Sequence, residues 1–189
     1  MRKSIVLCAA MLAIGSGAAR AAEPPEQMAE FVNTTVRGWF ADPAVQYAVT
    51  ASNAAHDGKS EAELVTLDDA WRAEISRPDR PTIDAITGSA VSAMLRDRVA
   101  GSGGVISEII LMDNRGMNVA VSDVTSDFWQ GDEAKYQDTY PKGPGAVHLS
   151  DIELDESSQT YQLQYSFTLT DASGAPIGAV TIGLNAEAF

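Results

Sequence analysis

Between residues 122 and 136 the chain gathers most of the side chains that could do chemistry. Ser122, Asp123, Thr125, Asp127, Phe128 and Trp129 crowd oxygens and aromatic rings into eight residues, and Lys135 and Tyr136 follow closely. Small-molecule sites pair apolar walls with a few placed polar groups, and this stretch offers both. The plainer alternative is that Phe128, Trp129 and Tyr136 close the core while the acids face water. Asp123, Thr125 and Asp127 also have the alternating oxygen spacing that opens a calcium loop. The pattern then breaks, because Phe128 stands where the turn glycine belongs and Ala134 where the terminal Glu belongs, so no metal is expected.

Charge narrows the kind of ligand. From residue 101 onward the basic residues are Arg115, Lys135 and Lys142, against thirteen acids from Glu108 to Glu187. Arg115 falls in a turn and Lys142 in a loop, which leaves Lys135 as the one clamp for a carboxylate. A cationic or neutral ligand suits this balance better than a dicarboxylate, and Phe128, Trp129 and nearby tyrosines could cage an ammonium group. His56 and His148 are the only histidines and stand far apart in the chain, which argues against a zinc site. A helix end at the surface and a strand position are their default readings. The sequence has no Gly-x-Ser-x-Gly elbow, no His-Glu-x-x-His and no phosphate loop, and His148 with Ser150 and Asp151 is only a neighbourhood. Neither an enzyme nor a cofactor is expected.

The elements that must position these residues begin after an export signal. Arg2 and Lys3 precede an uncharged run from Ser4 to Ala19, and Ala19-Arg20-Ala21 supplies small residues at the two positions a signal peptidase reads, so residues 1–21 are expected to be a cleavable signal peptide. The apolar core is short for a membrane span, and Cys8, the only cysteine, lies inside it. Removing this segment takes away Arg2, Lys3 and Arg20 and no acid, so the formal charge moves from −13 to −16. Such a surface cannot release counterions from phosphate, which excludes nucleic acid as a partner, and an anionic membrane surface is disfavoured likewise. No second apolar run reaches transmembrane length, so the expectation is a periplasmic protein without membrane insertion, its residues 22–189 forming one domain.

Within that domain the helical part spans residues 26–100. Met28, Phe31, Val32, Val36, Trp39 and Phe40 recur at three and four, Asp42-Pro43 interrupts and restarts the helix, and it continues to about Ala55. Ser60-Glu61-Ala62-Glu63 has the spacing of a capping box before Leu64, Leu67, Trp71 and Ile75, and a further helix is predicted over 82–98. Gly101 to Gly104 closes the helices, and the sheet part spans 105–186. An apolar strand ending at Met112, the turn Asp113-Asn114-Arg115-Gly116 and alternating Met117, Val119 and Val121 predict a hairpin. A short helix over 130–140 and a strand over 146–152 follow. Tyr161, Leu163, Tyr165, Phe167 and Leu169 alternate with polar residues, then Asp171 to Gly174 turns into a last strand over 177–184, where Gly178 and Gly183 leave room. The expected class is α+β: a long N-terminal helix and further helices packed on a five-stranded antiparallel sheet with a helix inserted after its second strand.

Several segments in this order resemble one family. They are Gly38-Trp39-Phe40-Ala41-Asp42-Pro43, Asn53, Leu67-Asp68-Asp69-Ala70-Trp71-Arg72, Met112-Asp113-Asn114-Arg115-Gly116-Met117-Asn118-Val119-Ala120 and Thr125-Ser126-Asp127-Phe128-Trp129-Gln130-Gly131-Asp132-Glu133. The succession is similar to the single Cache family of PAS-like extracytoplasmic sensors over roughly residues 26–186. The resemblance implies a PAS-like sheet and a small molecule bound over it by the loop 122–129, Tyr136 and later-strand residues such as His148 and Tyr165. Receptors of this family are bracketed by two membrane helices, whereas here a cleavable signal replaces the first and the chain ends at Phe189. The implied protein is a free periplasmic sensor that relays occupancy to a separate membrane histidine kinase or chemoreceptor. Two other readings stand beside it: a ligand-free interaction protein that regulates such a kinase, its long helix docking or forming a homodimer, and an acidic divalent-cation binder.

Overall fold

The computed structural model describes residues 25–155 and 160–189; the signal peptide expected over residues 1–21 lies outside them. Helix α1 (Glu26–Phe31) passes into a π-helical turn at Val32–Val36 and a 3-10 turn at Arg37–Ala41, and α2 (Pro43–His56) restarts beyond Asp42. Val32, Val36 and Phe40 recur every four residues through these turns, and all three are fully buried. The restart is capped as the sequence predicts, with Ala44 N donating to Asp42 Oδ1 at 2.8 Å and Pro43 opening the helix. Helix α3 (Glu61–Glu74) opens on the Ser60/Glu63 capping box. The helix expected over 82–98 is two, α4 (Pro81–Thr87) and α5 (Ala90–Gly101). Gly88 ends the first, where a Cβ would lie 2.6 Å from Asp84 O, and Ser89 caps the second by accepting from Ser92 N at 3.1 Å.

Among the described residues six strands follow: β1 (Ile106–Asp113), β2 (Asn118–Val121), β3 (Val147–Leu149), β4 (Glu153–Asp155), β5 (Thr160–Thr170) and β6 (Pro176–Asn185). They pair antiparallel in the order β2-β1-β6-β5-β3, with β4 also on β5. This is an α+β fold with the PAS-like strand order. The single edge strand expected over 146–152 is β3 plus β4. From Val147↔Phe167 to Glu153↔Gln162 the edge advances six residues and β5 five, so a bulge separates them. Ser150 bridges the break, its N donating to Gln164 O and its Oγ accepting from Gln164 N.

One face of the sheet carries the larger core. Ile109, Leu111, Leu163, Tyr165, Phe167, Val180 and Ile182 pack there against α1, α2 and α5. On the other face, the polar side of β5, Ser166 and Thr181 are fully buried and Thr168 nearly so. A short helix α6 (Ala134–Gln137) and a 3-10 turn at Tyr140–Lys142 lie over them, with Tyr136 and Tyr140 stacked at 5.8 Å. A third cluster of Leu64, Trp71, Ile83, Met117 and Phe128 joins α3 and α4 to the end of the hairpin.

Candidate functional site

The loop from Ser122 to Trp129 is tied down by helix α3. Asp68, buried on α3, accepts from the backbone amides of Phe128 (2.6 Å) and Trp129 (3.0 Å) through Oδ1, and from Arg72 Nε (2.7 Å) through Oδ2. Arg72 reaches on to Asp127 Oδ1 at 2.6 Å, and Asp68 beside it raises the pKa of its guanidinium. Trp71 donates its indole N–H to Thr125 O and stacks on Phe128 with centroids 5.1 Å apart. Asn118 donates to Thr125 Oγ1 and Asp127 O, and Trp129 donates to Arg115 O. The loop then returns to the hairpin, Asn118 N donating to Phe128 O and Gln130 N to Gly116 O. Ser122 Oγ accepts from Ile109 N, and Asp123 accepts from Val124 N. Phe128, Trp129, Thr125 and Asp127 thus meet neighbours within the chain. The calcium spacing does not converge either, since Asp127 faces Arg72 and Thr125 donates to Asp127 O. Among the described residues no group of three or more His, Cys, Asp or Glu is placed to hold a metal ion.

A groove of about 350 Å³ opens instead over the polar face of the sheet, beside α6. Its floor is Glu108 on β1, Gly183 on β6 and Gln164 on β5, which are consecutive neighbours across the sheet. Gly183 makes this floor: a Cβ there would lie 2.4 Å from Ser107 Oγ and 2.7 Å from Glu108 Cγ, so its absence lets Gln164 Nε2 reach over β6 to Glu108 Oε1 at 2.9 Å. Lys135 and Glu133 form one wall, with Nζ 3.0 Å from Glu133 Oε2 and 3.2 Å from Gln130 Oε1. Asp151 and Glu153 form the other. Four carboxylates therefore face one ammonium, and that ammonium is already paired.

Of the ten residues singled out in the sequence, Lys135 alone lines this groove. Tyr136 lies next to it under the sheet cover, its hydroxyl donating to Asn114 O at 2.6 Å, and burial, the largest influence, pushes its pKa well above the usual phenol range. His148 sits opposite Ser166, 3.6 Å from Asp138 Oδ2. Tyr165 is not part of this neighbourhood: it points to the opposite face and is buried against the N-terminal helices. Its odd position on β5 puts it with Leu163 and Phe167, while the even positions face the groove. Ser122 and Asp123 border a separate shallow hollow with Asp84, Thr87 and Arg96.

Nothing in the sequence gives Asp68, Glu108 or Gln164 a place at a site. Asp68 interrupts the apolar stripe Leu64, Leu67, Trp71, and an acid there needs buried donors. Glu108 and Gln164 share a face only through the register of three strands, which no local pattern displays. His56 is not a free helix end either. Its Nδ1 lies 2.6 Å from Asp113 Oδ2 and 3.4 Å from Ser52 Oγ, and Ser52 donates to the same carboxylate oxygen. Ser, His and Asp meet here, but one ring nitrogen faces both partners, so the geometry is a tether between α2 and the turn and not a proton relay to a nucleophile.

No family model matches the chain, and no curated protein matches it. Among solved structures it is similar to the extracellular domain of rpHK1S-Z16, described as a histidine kinase, at 17% identity and a TM-score of 0.43, over 86% of this chain and 60% of that one. It is also similar to the sensory domain of the Campylobacter jejuni chemoreceptor Tlp3 (14% identity, TM-score 0.40, 83% and 63% of the two chains). A third is the ligand-binding domain of the Pseudomonas aeruginosa PAO1 amino acid chemoreceptor PctC, in complex with GABA (13% identity, TM-score 0.37, 67% and 56%). The chain spans less than two thirds of each. All three are extracellular, sensory or ligand-binding domains, and none of their ligands or partners passes to this chain on such a likeness.

Proposed function

We propose that the protein is a periplasmic ligand-sensing domain of the single Cache type, which binds a small cationic or neutral molecule over its sheet and relays occupancy to a separate signalling partner. The observation that carries this reading is the groove on the polar sheet face, with the Glu108–Gln164 pair on its floor and an excess of carboxylates on its walls. A ligand ammonium would meet Glu108 and the acidic wall, while Gln164 offers an amide to a neutral polar group. Lys135, held by Glu133 and Gln130, guards one end and disfavours a second cation there.

A thermal-shift series with small amines, amino acids and uncharged metabolites tests it. A ligand that binds only the folded state at about a hundred times its Kd adds about 2.7 kcal/mol. The expected result is a rise in Tm for at least one amine or neutral compound, reduced tenfold or more in apparent affinity by Glu108→Gln. Absence of any shift across the series, or a shift untouched by Glu108→Gln and Gly183→Ala alike, overturns the proposal. The ligand-free interaction reading gains from one specific observation, that the aromatic loop is tied to α3 by its own hydrogen bonds. It predicts that no compound shifts Tm.

A further inference from the structure

The outer edge of the sheet carries a surface that the ligand reading leaves unexplained. Among the described residues no strand pairs with the far side of β3 and β4. Three apolar side chains stand open beside that edge: Ile152 is 58% exposed, Leu154 47% and Tyr161 49%, with Leu154 and Tyr161 directly paired across β4 and β5. Asp151 and Glu153, also exposed, alternate with them and project to the groove side. Residues 147–155 contain no Lys and no Pro; the bulge between the two short strands and the acids Asp151 and Glu153 are what guard this edge, and acids do not repel a basic segment.

We propose that this edge receives an extended segment of a partner protein in which basic and apolar residues alternate, added as a further strand beside β4. In that arrangement the partner's apolar side chains cover Ile152, Leu154 and Tyr161 on one face, and its cations meet Asp151 and Glu153 on the other, while main-chain hydrogen bonds supply much of the affinity. Charge decides against a second copy as the occupant. None of the strands β1 to β6 contains a Lys or Arg, and pairing this edge with itself would set acid against acid. The acids keep like chains apart and leave the edge open to a segment of opposite charge. Asp151 and Glu153 also wall the groove and Leu154 borders it, so a bound ligand and the added strand would share these residues; the two readings are separated by testing ligand binding at Glu108 and strand addition at Ile152 and Leu154.

The test uses the whole protein and a fluorescein-labelled ten-residue peptide of alternating Lys and Val, beside a peptide of the same composition with the five Lys and five Val in separate blocks. The expected result is binding of the alternating peptide at least tenfold tighter than the block peptide, with slowed amide exchange confined to residues 147–155. The double substitution Ile152→Lys, Leu154→Lys should weaken it tenfold or more while the circular dichroism melt stays unchanged, since both side chains are exposed. Equal binding of the two peptides would mean charge attraction alone and overturns the proposal. Binding that survives the double substitution, or no binding at all, does the same. So does self-association of the unsubstituted protein in the ultracentrifuge that the double substitution abolishes, since the occupant would then be a second copy.

Discussion

Asp68 shows how one side chain can hold a loop that looks functional in the sequence. Its two oxygens accept from the backbone amides of Phe128 and Trp129 and from the exposed Arg72 guanidinium, and the Phe128 amide, buried with Asp68, has no water to fall back on. Asp68→Asn, which loses the charge and one acceptor, is expected to destabilise the fold by about 2 to 3 kcal/mol in urea denaturation, in line with hydrogen bonds to a charged group. Arg72→Ala should cost less, because the Arg72 side chain is 54% exposed and its pairs are screened by water. A reversed order would mean that the ion pairs, and not the amide contacts, fix the loop. Glu74 gives a second prediction, in acid. Burial, the largest influence, works to raise its pKa, but the donors Ile83 N, Thr82 Oγ1 and Thr82 N together outweigh it and hold the carboxyl below its ordinary value of 4.5. A depressed carboxylate pKa stabilises the fold above the unfolded value and loses that stabilisation as pH falls through the folded one. Glu74→Gln should therefore lower Tm at neutral pH and flatten its decline on the acid side of the glutamate range, a difference that thermal melts between pH 6 and the acid limit will read.

At the scale of elements, the hairpin was legible because its chemistry is local. Asp113 Oδ1 accepts from Arg115 N and Met117 N, and Gly116 takes φ +79°, as the Asp-Asn-Arg-Gly turn requires. What the sequence did not display is how closely the turn is pressed on both sides. Asp113 is fully buried beneath His56 and Ser52, and a Cβ on Gly116 would lie 2.7 Å from the Gly131 Cα. Gly116→Ala meets both a left-handed backbone and a backbone obstacle, and a loss of about 2 kcal/mol or more is expected. Because Gly131 belongs to the strip that carries Trp129, the same variant should also perturb the Trp129 indole bonded to Arg115 O, visible as a changed tryptophan emission. Helix limits were legible where a cap stands in the sequence, at Asp42 and Ser60. The break at Gly88-Ser89 was hidden because the apolar period of Ile83, Ile86, Ala90 and Met94 runs straight through it, and only the Ser89 cap reveals a second start.

For the molecule as a whole, the alternation along β5 gave away the existence of two faces but not their fates. Period-2 patterning distinguishes apolar from polar; it does not say that α6 and the Tyr140 turn will bury Ser166 and Thr181 on the polar side, since that cover comes from twenty or more residues earlier in the chain. The same limit explains the site: the loop 122–129 has the composition of a binding loop, and only the tertiary position of α3 shows that its groups are engaged there. The larger core and the cluster under α3 and α4 imply separate units of stability. The β1-β6-β5 ladder is flanked by the larger core, whereas α3, α4 and the loop hang together through Leu64, Trp71, Ile83, Met117 and Phe128 with the Asp68 hydrogen bonds. A unit with its own small core and few strand pairings opens at lower free energy than the sheet. Native-state hydrogen exchange should then show residues 61–74 and 122–130 opening together, well before β1, β5 and β6. Trp71→Leu, which removes both the stack on Phe128 and the bond to Thr125 O, should speed exchange in those two segments and leave the slowest amides of β6 shifted only by the change in global stability. Uniform acceleration across the sheet and α3 would show instead that the α3–loop unit and the sheet open as one.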